Sequence, residues 1–290
     1  MTFKGVISPM LFVFNRAFAV CSEKQLKLSV KAFLFISVGL LAWSANPVLA
    51  TSIYAEDFSG FEGFGFSVNP AVGQLDSDLF RVTGLSDGDG VFGGSYTSDD
   101  FSRGGSFGGE ATAGIYAFDV SNGGLTPNTA LGVQSAGNDL TPGSISLRLV
   151  NQSSRVINFL EIQFDIFELN DKDRSSSVNF AYALGNENLY NSLLFYTSTE
   201  DGSSSASWLG TELSTSLLSL NWLPSDKLFL RWSFDDVSGS GSRDELAIDN
   251  IRVDEMTAVP EPAVLPIFLF GILMIVARIY SRDPMRFIRI

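Results

Sequence analysis

Lys227-Leu-Phe-Leu-Arg-Trp-Ser-Phe234 puts Leu228, Leu230, Trp232 and Phe234 on one side of an extended chain. Successive strand side chains point to opposite faces, so large apolar groups at every second position specify a half-buried strand. The same period recurs on either side of this stretch. Toward the C-terminus, 246–253 aligns Leu246 and Ile248, then Ile251 and Val253 after a one-residue shift at Asn250 that predicts a bulge. Toward the N-terminus, Ser144-Ile-Ser-Leu-Arg-Leu-Val150 alternates, 160–169 aligns Ile162, Phe164 and Ile166, and 175–184 aligns Val178, Phe180, Tyr182 and Leu184. Shorter candidate strands fall at 52–58, 79–83, 114–120, 130–134 and 193–196. About ten strands joined by polar turns, without intervening helices, predict an all-β, antiparallel sandwich of jelly-roll type. Residues 211–220 read as a helical turn or a loop. The aromatic residues, including 25 Phe in the chain, supply the bulk needed between two sheets.

Composition excludes several chemistries. The 290-residue chain has no histidine, which removes Ser–His–Asp and Cys–His catalysis and His-ligated zinc. Its one cysteine, Cys21, precedes the folded region, which therefore has no disulfide, no thiol nucleophile and no Cys-based metal site. Residues 51–258 hold 29 acidic against 10 basic side chains. A surface that acidic repels phosphate backbones, which argues against nucleic-acid binding.

Both ends read as targeting segments. Lys24, Lys27 and Lys31 precede an apolar run over 32–43, and small residues end at Val48-Leu49-Ala50. That order is a secretory signal with cleavage after Ala50, handled by the Sec pathway and signal peptidase. The apolar run is shorter than the roughly 20 residues a membrane span requires. Residues 1–20 fit either a translation start further down or an extended leader. At the other end, Val259-Pro260-Glu261-Pro262 introduces an uncharged run over 263–277 that contains Gly271. Arg278, Arg282, Arg286 and Arg289 follow, with Asp283 as the one acid among them. The run covers about 22 Å as a helix, and snorkelling arginines extend it to a short transmembrane helix with its C-terminus in the cytoplasm. The domains are thus 1–50 leader and signal, 51–257 ectodomain, and 258–290 tail.

The tail resembles the PEP-CTERM sorting signal, whose order is a Pro-Glu-Pro motif, an apolar segment and arginines. The resemblance implies recognition and cleavage by exosortase near Pro260–Pro262, in a Gram-negative host that makes extracellular polysaccharide. It implies transient residence in the inner membrane, then release to the cell surface or extracellular matrix. Pro266, early in the apolar run, and the spread of the arginines depart from the pattern.

The densest polar cluster contains Asp235, Asp236, Asp244, Glu245 and Asp249, separated by hydroxyl side chains and glycines. Alternating stretches flank it, so it reads as a hairpin connection, and carboxylates in such a loop are ligands that calcium favours. Glu56-Asp57-Phe58 and Ala247-Ile-Asp-Asn-Ile251 resemble the first and last strands of lectin-like and adhesion-type jelly rolls, a concanavalin-like class. There those strands are neighbours and can share a structural calcium, and the resemblance nominates Asp57 and Asp249; the favoured plainer reading is that Asp249 bonds backbone amides in a bulge and the others are solvated turn residues. Asp87-Gly-Asp-Gly90 lacks the remaining positions of an EF-hand loop and reads as a turn. Gly104-Gly-Ser-Phe-Gly-Gly109 lacks the P-loop Lys and reads as a loop within the Gly-rich stretch 84–114. Arg103 is expected to pair with a neighbouring Asp.

The expected function is non-catalytic binding or adhesion to polysaccharide or matrix, with no certain cofactor and structural calcium as the one candidate. A hydrolase using carboxylates alone is the alternative. Aromatic residues on one exposed face favour binding, whereas two carboxylates roughly 5–10 Å apart in a groove favour hydrolysis.

Overall fold

The computed structural model describes residues 48–258. Residues 49–257 form one compact unit. Of the segment expected to be the signal only 48–50 are described, as the start of a strand; the rest of it, the expected sorting motif and the C-terminal arginines lie outside the described residues, among which no helix is long and apolar enough to cross a membrane.

Fourteen strands are described: β1 (Val48–Glu56), β2 (Phe61–Ser67), β3 (Gly73–Asp76), β4 (Phe80–Thr83), β5 (Gly105–Ser106), β6 (Gly114–Asp119), β7 (Thr129–Gln134), β8 (Gly143–Val150), β9 (Ile157–Leu169), β10 (Arg174–Leu184), β11 (Asn191–Thr197), β12 (Leu209–Trp222), β13 (Lys227–Gly239) and β14 (Glu245–Ala258). One 3-10 turn spans Asp99–Phe101. One sheet runs β12-β9-β14-β7-β6-β5, with β1 also paired to β14; a second runs β11-β10-β13-β8-β4; β2 and β3 form a small parallel pair. From β8 to β10, and again from β12 to β14, consecutive strands alternate between the two main sheets. That alternation makes a sandwich, and it brings the first and last strands side by side.

The period-two pattern works as expected. Leu228, Leu230, Trp232 and Phe234 of β13 all enter the core. Phe164 of β9 crosses from the larger sheet and meets Trp232 edge-on, with ring centroids 5.3 Å apart. Both rings contact Phe180 of β10, at 4.7 and 5.1 Å. A second, smaller apolar cluster, with Phe118, Tyr116 and Trp208, forms on the other face of the larger sheet. Gly132 is required there, because a Cβ would fall 2.0 Å from the Phe118 ring.

Two expectations change, and one element was missed. Residues 211–220 are neither helical turn nor loop: they belong to β12, the edge strand that pairs with β9 from Leu209 to Leu218. Alternate Leu213 and Leu217 face the core while intervening positions face outward, a weak pattern because an edge strand is covered on one side only. The segment 235–245 is not a hairpin connection. It crosses between sheets, since β13 pairs with β10 and β8 whereas β14 pairs with β9 and β7. The parallel pair β2–β3 carried no alternation strong enough to mark it. The bulge at Asn250 is present: the β14–β9 register shifts between Asp249 and Arg252, and Asn250 has φ 52°.

Candidate functional site

The sorting-motif residues Val259, Pro260, Glu261 and Pro262, and the basic residues Arg278, Arg282, Arg286 and Arg289, lie outside the described residues. The two acids nominated for calcium lie within them. Glu56 ends β1, Asp57 follows it, and Asp249 opens the bulge of β14, which pairs with β1. A shallow cavity of about 280 Å³ is lined by Ala55, Glu56, Asp57, Asn250, Ile251 and Arg252; Asp249 is not among its lining residues.

Asp249 is fully buried. Its Oδ1 accepts a 2.7 Å hydrogen bond from the backbone N–H of Asn250, the Asn128 side chain lies near enough to favour the charged form, and Oδ2 is in no close hydrogen bond among the described residues. Burial pushes this carboxyl up to about 7, and the charges of Asp165 and Asp57 push the same way. Asp57 is exposed and accepts a 3.0 Å bond from the N–H of Ser59, which with the Ser59 hydroxyl holds its carboxyl below the usual range. The bulge thus turns one carboxylate inward, at the end of the pair formed by the first and last strands. A shielded carboxylate oxygen in no close hydrogen bond suits a hard cation. Among the described residues no three acidic, His or Cys side chains gather closely enough to hold a metal by themselves. Calcium there would draw on Asp249 and Asp57 and complete its six to eight oxygens from backbone carbonyls and water.

The other acids of the cluster do different work. Asp236 is clamped by ion pairs to Arg174 and Arg243. Asp244 and Glu245 are buried. Asp244 accepts a 3.0 Å bond from the N–H of Lys172, and Glu245 accepts a 2.5 Å bond from the N–H of Glu110. Burial pushes both carboxyls up to about 7, with Asp171 adding to each and Glu168 adding at Asp244. Arg103 pairs with Asp100, as expected. Asp89 accepts a 2.7 Å bond from the N–H of Gly84 and Asp87 a 3.0 Å bond from that of Asp100, which is turn chemistry.

A different surface emerges from the strand register: the outer face of the five-stranded sheet. Paired residues share a face, so Thr83, Ser144, Ser233, Asn179 and Phe195 form one row across all five strands. The row is about 19 Å long at the usual strand spacing. It offers three hydroxyls and an amide and ends on Phe195, which is 64% exposed. Thr83 and Ser144 share a 2.9 Å hydrogen bond, and Ser192 donates at 2.8 Å to Asn179. The adjacent row runs Arg81, Ser146, Arg231, Ala181 and Ser192. Two loop aromatics stand over this side of the face: Phe92 packs 5.9 Å from Phe229, and Tyr190 lies under the Arg231 guanidinium. None of these residues was singled out in the sequence. Their only sequence signal is that they occupy the off-core positions of alternating strands.

No family model matches the chain, and no curated protein matches it. Several solved structures resemble it at low identity. The C-terminal family 22 carbohydrate-binding module of Clostridium thermocellum Xyn10B aligns at 12% identity, over 75% of this chain and 99% of that one, with TM-score 0.37. The K3 cleaved adhesin domain of Lys-gingipain from Porphyromonas gingivalis aligns at 12% identity, over 71% and 99%, also with TM-score 0.37. TmCBM61, solved with β-1,4-galactotriose, aligns at 9% identity, over 61% and 88%, with TM-score 0.32.

Proposed function

We propose that this is an exported, non-catalytic polysaccharide- or matrix-binding protein whose ligand lies along the outer face of the five-stranded sheet. One observation carries the reading: the row of hydroxyl and amide side chains that crosses every strand of that sheet and ends on exposed Phe195. Short polar groups on a rigid sheet leave room for a chain of sugars and match its hydroxyls, and an aromatic ring offers a face for a pyranose to pack on. The competing class, a carboxylate-dependent hydrolase, draws no support from its candidate pairs. Asp236 is held by two arginines, and Asp244 and Glu245 are buried.

The experiment is a panel of neutral and acidic polysaccharides tested against the secreted protein by affinity electrophoresis and calorimetry. Retention by at least one polymer is expected. Phe195→Ala is expected to weaken it about 3- to 10-fold while leaving the thermal midpoint unchanged, since the ring supports no core contact. A silent panel would remove the binding reading and leave a purely structural role.

Two further elements belong to the proposal. The tail, through Val259-Pro260-Glu261-Pro262 and the arginines beyond, delivers the ectodomain to the surface or matrix by way of exosortase. A structural calcium at Asp57 and Asp249 pins the first strand to the last; its support is the buried Asp249 carboxylate, whose Oδ2 is in no close hydrogen bond among the described residues and has only the Asn128 side chain nearby.

A further inference from the structure

The outer face of the five-stranded sheet gathers positive charge in a domain that is otherwise strongly acidic. Four of the ten basic residues between 51 and 258 stand on it, with Lys227 at its edge. Arg81 and Arg231 flank Ser146 in a single cross-strand row, and Arg148 follows two residues further along β8. Most other basic residues are held in ion pairs elsewhere: Arg103 with Asp100, Arg155 with Glu255, Lys172 with Asp171, Arg174 and Arg243 with Asp236, and Arg252 with Asp254.

Aromatic rings hold these arginines in place. The guanidinium carbons of Arg81 and Arg148 lie 4.8 and 4.5 Å from the centroid of Phe92, and that of Arg231 lies 3.7 Å from the centroid of Tyr190. Stacking fixes the plane of a guanidinium while leaving its in-plane N–H groups free to donate. Arg81 and Arg148 each meet one carboxylate, Glu187 at 3.0 Å and Asp78 at 3.2 Å. Arg231 meets none among the described residues, although acids outnumber bases nearly threefold in this domain.

Unsatisfied polar atoms converge on the same place. Arg81 Nε, Arg231 Nε, the Ser146 hydroxyl and the Tyr190 hydroxyl are all shielded and all lack a hydrogen-bond partner among the described residues; Ser146 is fully buried between the two arginines. Buried polar groups are normally paired, so four orphans on one patch mark a missing partner. All four can donate, and the two Nε–H groups can only donate. The complementary group is an acceptor with negative charge, and the planar fork of arginine matches a carboxylate.

We infer that the polysaccharide held on this face is anionic, a uronate-type polymer whose carboxylates are gripped by Arg231 together with Arg81 and Arg148, beside the hydroxyl row that ends on Phe195. This rests on the polysaccharide reading of the face and narrows its ligand class. It also gives the arginine cluster a purpose that stability does not, because like charges on adjacent strands repel.

The test compares the secreted protein with oligogalacturonate and with the same oligomer fully methyl-esterified, which keeps the sugars and removes the charge. Calorimetry is expected to show binding of the free acid at least tenfold tighter than of the ester, and weakening as salt rises from 50 to 300 mM. Arg231→Ala is expected to lose at least tenfold on the acid, and Arg231→Lys to recover only part of it. If the ester binds as well as the acid, or only neutral polymers of the wider panel bind, the anionic inference falls and the polysaccharide reading stands. If Arg231→Ala, folded by its thermal midpoint, binds the acid unchanged, the site assignment falls. Should Arg231→Ala fail to fold, the acid-to-ester ratio and the salt dependence decide without it. If nothing binds, both readings fall together.

Discussion

At the residue scale, the unusual feature is a set of buried carboxyls that form no ion pair among the described residues, although Lys172 lies near Glu245 and Asp244. Asp244, Glu245 and Asp249 are each pushed up to about 7, mainly by burial. A carboxyl raised in the folded state binds more protons there than in the unfolded chain, where carboxyls titrate near 4. Its stabilising contribution is therefore complete below about pH 4 and is lost as pH rises through about 7. Asp57 is shifted the other way by its bonds from Ser59, and Asp236 by Arg243 and Arg174 against the effect of burial; their contribution is lost only below the ordinary carboxylate range. Between pH 5 and 8 the raised group dominates. The thermal midpoint in chelator is expected to fall across that interval, and Asp244→Asn should flatten the slope; a midpoint that rises with pH would contradict the assignment. Calcium at Asp249 would substitute for the proton. At pH 7.5, calcium is expected to raise the midpoint of the native protein and leave that of Asp249→Asn unmoved, as read by scanning calorimetry with and without chelator. No response in the native protein would sink the calcium proposal.

At the element scale, β13 ties the molecule together. It lies at the centre of the five-stranded sheet, between β10 and β8, and sends Trp232 into the triad with Phe164 and Phe180. Trp232 is fully buried. Trp232→Ala would open a cavity between the sheets, and chemical denaturation is expected to show a loss of about 3–5 kcal/mol. The inward face of this strand was readable from sequence because large apolar side chains mark it at every second position. Strand β12 was not, because an edge strand buries only one flank and its polar run imitates a loop. The cross-sheet passage from β13 to β14 was not readable either: a polar, Gly-rich connection of this length suits a hairpin and a sandwich crossover equally, and only the pairing partners distinguish them.

At the scale of the whole molecule, the proposed tail makes a prediction about mass and place. Mass spectrometry of protein recovered from the producing cells is expected to find the folded domain ending near Pro260–Pro262, without the arginines, in the surface or medium fraction. An intact tail in the inner membrane would instead indicate a permanent anchor. The sequence by itself determined the all-β class, the strands that build the core and the chemistries excluded by the lack of histidine, because burial period and residue inventory are local properties of the chain. It also pointed to Asp57 and Asp249, through the phrases at either end of the domain. The same phrases set β1 beside β14, as the structure has it, but only the tertiary structure decided that Asp249 is sealed from solvent. It alone assembled Thr83, Ser144, Ser233, Asn179 and Phe195 into a row, with Arg81 and Arg231 beside it. The physical reason is that a sheet face is defined by strand order and register. Both are set by long-range pairing, and the off-core positions of a strand carry no pattern that names their neighbours.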